Sequence, residues 1–304
     1  MPVMLCSCPP ESGENPGFVE EMQKFVQDIS VHARGKKANF IIIPQNGEEL
    51  AFKNAEPDNG LCNSYIDAID GVGIEELFYD NRLRVDNYRL KMLRTIKNHV
   101  KVMVADFVGN DANIEDSKKR SADEGFIAFP RSRDNYDYML IPNTGITNEN
   151  ASNVTVIAYA KNYLYLISTD KYGKKDDMIN AIKATNYDVV LIDLFFDESE
   201  LSSGDIEQLK TKANGGKRLV ICYVSIGSAE NYRYYWQQGW KKGNPTWLKK
   251  YYDGYRDEIW VEFWNDEWRD IIFGYEDSYI DKIIAAGFDG AYLDNVEAYY
   301  ALSN

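Results

Sequence analysis

Histidine is almost missing. His32 and His99 are the only two in 304 residues, and both fall in stretches that read as helix. Ser-His-Asp triads, Cys-His pairs and His-rich zinc sites all depend on imidazole, so carboxylates must carry most of any catalysis. Cysteine is sparse too: Cys6, Cys8, Cys62 and Cys222 show no zinc-finger or redox spacing apart from the close N-terminal pair, and no disulfide framework follows. Positive charge is in deficit, with 34 Lys plus Arg against 48 Asp plus Glu and a net charge of −14. A nucleic-acid partner needs a basic footprint, and this balance argues against one. No apolar run approaches the roughly 18 residues of a membrane span. What is present is ordinary for a globular chain: 44% hydrophobic and 27% charged residues, enough for one large or two ordinary domains with a proper core.

The first residues carry a separate signal. Leu5-Cys6-Ser7-Cys8, then Pro9, Pro10 and a polar run, is similar to the cleavage box of a bacterial lipoprotein in which Cys8 takes the lipid. No basic n-region or full apolar h-region precedes it, so an ordinary frayed terminus fits the same residues. The expectation is an exported protein whose only membrane contact is a lipid anchor at Cys8.

Beyond a tail at 1–17, short apolar runs alternate with amphipathic stretches over 18–304. Strands are expected at 39–45, 71–77, 100–107, 125–129, 163–168, 187–194, 218–226, 258–264 and 288–293. Helices are expected at 18–34, 85–99, 176–185, 203–213 and 275–286. Continuous β-branched runs suit strands covered on both faces, and a βα alternation of this length points to a single (β/α)₈ TIM barrel, with a doubly wound sheet as the alternative. The interval 142–153 (PNTGITNENASN) has no apolar period and reads as a linker or long surface loop.

Polar residues gather at the C-terminal ends of the expected strands, where such barrels build active sites. They are Gln45 and Asn46, Glu75, Asp106, Asp193, Tyr223, Ser225 and Glu230, then Asp294 and Glu297. Each alone could be a helix cap or an ion-pair partner; their joint placement is the signal. All six tryptophans, Trp236, Trp240, Trp247, Trp260, Trp264 and Trp268, fall within 33 residues and among many tyrosines. Aromatic faces stack on the C–H faces of sugars, so the crowding points to carbohydrate; a lid packed on the barrel mouth is the structural alternative.

The strings YVSIGSAENYRYYW (223–236), WVEFWNDEWR (260–269), GFDGAYLDNVEAY (287–299), FIIIPQNGEEL (40–50) and DGVGIEELFYD (70–80) resemble the family-114 glycoside hydrolases, the endo-α-1,4-polygalactosaminidase group. The resemblance covers roughly 18–140 and 160–300. It implies a TIM barrel, an exported setting and hydrolysis of galactosamine-containing polysaccharide. Ser228 stands where the family often has Glu, and Glu297 where it often has Asp. The motif order also differs, because the family's later half (QNGE, then GVGIE) comes first here. The chain reads as circularly permuted, which a barrel tolerates because its first and last strands are neighbours.

These features lead to a two-carboxylate glycoside hydrolase. Asp294 is the expected nucleophile, and Glu75, with a proton retained by an apolar setting, the acid/base. Asp193, Tyr223, Ser225, Glu230, Arg233, Trp236, Trp264, Gln45, Asn46, Asp106, Tyr292 and Glu297 are the expected sugar contacts. No cofactor or metal is called for, since the acids lack fixed cation-binding spacing. A catalytically silent sugar-binding barrel would show the same aromatics and most of the same acids. Three geometric expectations follow. Phe18 should start near 298–304, the strand at Tyr163 should pair with the strand at Val100, and Trp264 with at least one of Trp236, Trp247 and Trp268 should line the mouth.

Overall fold

A computed structural model describes residues 17–303; the tail that holds Cys6 and Cys8 lies outside the described residues. Among the described residues, eight strands run parallel: β1 (Ile41–Pro44), β2 (Gly71–Asp80), β3 (Lys101–Phe107), β4 (Ile127–Ala128), β5 (Tyr163–Tyr165), β6 (Val189–Asp193), β7 (Leu219–Ser225) and β8 (Gly290–Asp294). Ladders join β2 to β3, β3 to β4, β5 to β6, β6 to β7, β7 to β8 and β8 to β1. Between β1 and β2 the link is a bridge at Gln45 and Gly73, with Asn46 N–H donating to Gly73 O at 2.7 Å. Neighbours in space are thus neighbours in sequence, as short right-handed βα crossovers require.

At the β4–β5 junction side-chain and loop-backbone contacts stand where a ladder would. Lys101 Nζ donates to Ala160 O at 3.1 Å, Ile167 N–H donates to Tyr138 O at 3.1 Å, and Tyr138 stacks on Tyr165 with centroids 3.8 Å apart. The expected pairing of the Tyr163 strand with the Val100 strand is therefore corrected: β3 pairs with β4, and β5 with β6. Two residues of β4, flanked by the buried Phe126 and Phe129, suffice to occupy the place next to β3.

The strand expected at 258–264 is also corrected. Tyr255–Val261 pairs antiparallel with Ser228–Glu230 and Leu248–Tyr252 in a separate sheet that follows β7. Its continuous apolar half, Ile259–Val261, is buried like a barrel strand, but the polar half Tyr255–Glu258 continues toward the site.

Helices pack outside the strands, among them α1 (Phe18–Lys36), α2 (Asn87–Ile96), α3 (Ile114–Asp123) and α4 (Ala298–Ala301). In α1 Met22, Phe25, Val26, Ile29 and Ala33 recur at three- and four-residue spacing and are buried, while Arg34 and Lys36 sit in the last turn, where the helix dipole favours cations. This helix packs against α4, and the Phe18 ring lies 4.9 Å from the Trp264 ring. The neighbouring of β1 and β8 brings those helices together in any motif order. Residues 142–153 contain no helix or strand but are anchored. Lys212, fully buried with Asp188 at 2.5 Å, donates to Ser152 O at 2.9 Å, and Asn150 donates to the Asp188 carboxylate at 3.1 Å. A buried ammonium and carboxylate hold together only with their remaining bonds satisfied, and this segment supplies them.

Tyr292 of β8 reaches toward β2. A Cβ built on Gly73 would lie 1.7 Å from the Tyr292 hydroxyl, so the ring occupies the volume a side chain at 73 would need.

Candidate active site

The C-terminal ends of the strands open into a cleft of about 1450 Å³. At its floor, three strand ends converge through one amide. Gln45, just past β1, donates from Nε2 to Glu75 Oε2 at 3.0 Å and to Asp294 Oδ1 at 2.9 Å, while its Oε1 accepts from Tyr165 OH at 2.6 Å. One nitrogen serving both carboxylates sets those oxygens no farther apart than the two bonds laid end to end. Asp294 also accepts from Tyr223 OH at 2.6 Å and from Asn295 N–H at 2.8 Å. Glu75 accepts from Tyr138 OH at 2.5 Å and Asn46 Nδ2 at 3.3 Å, with Arg131 at 3.3 Å.

Burial, then the negative charge of Glu75, pushes the Asp294 carboxyl up to about 7. Burial and the charges of Asp294 and Glu75 hold Glu297 well above the ordinary range, and burial with the charges of Glu230 and Asp294 takes Glu258 to about 8. The surroundings therefore favour the protonated form of Asp294 into the neutral range. Because the folded-state value lies above the unfolded value of 3.8, the folded protein keeps a proton that the unfolded chain releases. Stability from this group is complete below the unfolded value and is lost as pH rises to about 7. Asp294→Asn, which cannot ionise, is expected to raise stability on the order of 1–2 kcal/mol at about pH 8 and to leave it near wild type at about pH 4. Calorimetric melting at the two pH values checks this.

Asp193, Glu230 and Arg233 form the opposite wall. Arg233 lies 2.9 Å from Asp193 and 2.6 Å from Glu230, and Tyr232 OH donates to Glu230. A further arginine, Arg89 of α2, pairs with Glu48 and donates to the Glu75 carbonyl at 2.8 Å. Of the expected contacts, Gln45, Asn46, Glu75, Asp193, Tyr223, Glu230, Arg233, Asp294 and Glu297 line the cleft.

Five expected contacts do not. Asp106 is fully buried below the floor, where it accepts from Phe78 N–H, Tyr79 N–H and Ser117 Oγ and ties β2 to α3. Ser225 faces Ser228 at 2.7 Å, and Tyr292 is fully buried. Trp264 packs on Phe18 and Phe263, and Trp236 on Trp240, which continues to Trp247 and then Trp268. No tryptophan is among the described residues that line the cleft; this cluster mounts the antiparallel sheet on the barrel, which is the packing alternative of the sequence reading. Ten tyrosines take the lining instead, with Tyr136, Tyr232, Tyr234, Tyr255 and Tyr300 well exposed along it.

Sequence reasoning missed Arg89, Arg131, Tyr138, Tyr165 and Glu258 as site residues. Arg131 follows the 125–129 run and Tyr165 ends β5, so a strand-end search extended from acids to all polar types would have found both. Tyr138 lies in irregular chain and has no such signal.

The lining has one dominant electrostatic property. Seventeen carboxylates face four arginines and no lysine, a formal excess of thirteen negative charges and nearly the whole of the chain's −14. All four arginines, Arg84, Arg89, Arg131 and Arg233, are already paired with carboxylates.

A family model for glycoside-hydrolase family GH114 matches residues 130–304. The chain belongs to glycoside-hydrolase family GH114. GH114 is a TIM-barrel family, in keeping with parallel β/α topology here. Among curated relatives, an uncharacterized protein of Methanocaldococcus jannaschii is 36% identical over 150 residues, 49% of this chain and 41% of its own length. Uncharacterized proteins of Deinococcus radiodurans (34%, over 43% of this chain and 40% of theirs) and Thermotoga maritima (33%, over 39% and 35%) are similar. The chain thus aligns over less than half the length of each of these relatives. GH114 membership fixes a glycoside-hydrolase framework, and within it Ser228, where the resemblance led to glutamate, presents its hydroxyl to the Glu258 carboxyl instead.

Proposed function

We propose that this protein hydrolyses an α-1,4-linked galactosamine polymer with free amino groups, using Asp294 and Glu75 as the two carboxylates. The observation that carries the reading is the shared amide of Gln45, which sets both carboxylates side by side at the floor of an acidic, tyrosine-lined cleft. Side-by-side carboxylates suit the close separation of a retaining mechanism, about 5 to 5.5 Å between carboxyl groups. In this reading Asp294 is the acid, because its surroundings hold a proton into the neutral range. Glu75 is the nucleophile, oriented by Tyr138, Asn46, Gln45 and Arg131. Departure of the leaving sugar takes the Asp294 proton as Glu75 forms the glycosyl ester; Asp294 then draws a proton from the water that hydrolyses it.

The same reading takes the eight strands as a closed barrel. It also takes the motif order as a circular permutation, supported by a family match that begins at 130 while β1 to β4 lie before it. An exported location follows from a polysaccharide substrate. Incubation with de-N-acetylated α-1,4-galactosamine oligomers, read by mass spectrometry, should show chain shortening. Binding with unchanged chain length would instead mark a silent carbohydrate-binding barrel.

A further inference from the structure

Asn295, directly after Asp294, is a non-glycine residue in the left-handed region, with φ 61°. Such a backbone costs on the order of 1 kcal/mol or more and persists only where the surroundings impose it. Here they do. Its carbonyl presses on Gly227, where a built Cβ would lie 1.9 Å from Asn295 O. Its side-chain Nδ2 lies 2.8 Å from Glu258 Oε1, 2.8 Å from Ser228 Oγ and 3.0 Å from Ser225 Oγ. Ser228 Oγ meets the same Glu258 oxygen. The consequence for the neighbouring residue is that Asn295 N–H points at Asp294 Oδ1, 2.8 Å away.

We propose that Glu258 is a positioning residue for Asp294, acting through Asn295: its carboxyl clamps the Asn295 amide, and the clamped backbone aims its N–H at the Asp294 carboxyl. The inference rests on the reading of Asp294 as one of the reacting pair. Glu258 lies in the antiparallel sheet directly opposite Glu230, an arrangement of like charges that is ordinarily unfavourable. It is tolerated because burial and those charges keep Glu258 protonated to about 8, so the resting clamp is a neutral acid. The groups that face it are Glu230 across the sheet, Asp294 and Asn295 from the end of β8, Tyr223 from β7, and Tyr252 and Tyr255 from its own hairpin.

The test uses the full chain with Glu258→Ala, Glu258→Gln and Asn295→Gly. The Asp294 carboxyl is followed by ¹³C NMR and assigned by its loss in Asp294→Asn; kcat and KM are measured on the α-1,4-galactosamine oligomer. The Asn295 N–H bond lowers the Asp294 value, so loss of aim must raise it. Glu258→Ala and Asn295→Gly are expected to move the Asp294 midpoint upward by about half a unit or more and to lower kcat about tenfold, with KM within about twofold. Gln keeps an acceptor for the Asn295 amide, so Glu258→Gln should restore both values. An unmoved midpoint in Glu258→Ala and Asn295→Gly overturns the proposal. A raised KM with unchanged kcat and midpoint does so as well, since it makes Glu258 a sugar contact only. A moved midpoint with unchanged kcat upholds the clamp and overturns the catalytic reading of Asp294.

Discussion

Asp294→Asn and Glu75→Gln are each expected to lower kcat on an α-1,4-galactosamine oligomer by about 10³-fold or more, with melting temperatures no lower than wild type. Both changes are nearly isosteric. The amide oxygen introduced by Asp294→Asn would still accept from Gln45 and from Asn295 N–H, and the one introduced by Glu75→Gln could still accept from Tyr138, so each site keeps part of its hydrogen-bond set. In the proposed roles, what disappears is a transferable proton at one position and a nucleophile at the other. The size of the loss separates catalysis from binding, because removal of a sugar contact raises KM and leaves turnover largely intact. Steady-state kinetics on matched protein, with calorimetry alongside, decides it. A variant that keeps near-normal kcat is structural, and its role passes to Asp193 or Glu230 on the opposite wall.

N-acetylation of the substrate is expected to reduce kcat/KM by about 100-fold. The cleft concentrates nearly all of the chain's excess negative charge, and its own arginines are consumed in ion pairs. Burial first, and repulsion from neighbouring carboxylates after it, displaces Asp294, Glu258, Glu297 and Asp193 upward. Ammonium groups entering such a cleft relieve repulsion and gain attraction, whereas acetamides do neither. Charge attraction is screened by salt, so raising NaCl from about 0.05 M to about 0.5 M should lower kcat/KM several-fold for the free amine and leave the acetylated oligomer nearly unaffected. Equal rates on both substrates, or a preference for the acetylated one, would separate the cleft's charge from its selectivity.

Most of the parallel strands were legible because they are short apolar runs closed by a polar residue, and that end residue is also what the site is made of. Gln45, Glu75, Asp193 and Asp294 were found by that rule alone. The rule fails for Asp106 because β2 shifts register after Glu75, and the chain at Phe78 and Tyr79 covers the end of β3. The tryptophans misled for a different reason: a large aromatic suits a packed sheet-to-barrel contact as well as a sugar platform, and crowding in sequence marks either. Helix α3 was hidden because its inward face is Ser117 and Ser121 rather than a hydrophobic stripe. Glu258 was hidden because its strand was counted as part of the barrel, and no local pattern tells an antiparallel rim strand from a parallel one.

Azide rescue tests the central claim most directly, because it reports which carboxylate faces the anomeric carbon. With an activated α-galactosaminide, azide should restore cleavage to Glu75→Ala and yield the β-glycosyl azide by direct displacement, while in Asp294→Ala azide should attack the Glu75 glycosyl ester and yield the α-glycosyl azide. No rescue of Glu75→Ala in a folded protein, or α-azide from Glu75→Ala with β-azide from Asp294→Ala, would contradict the account.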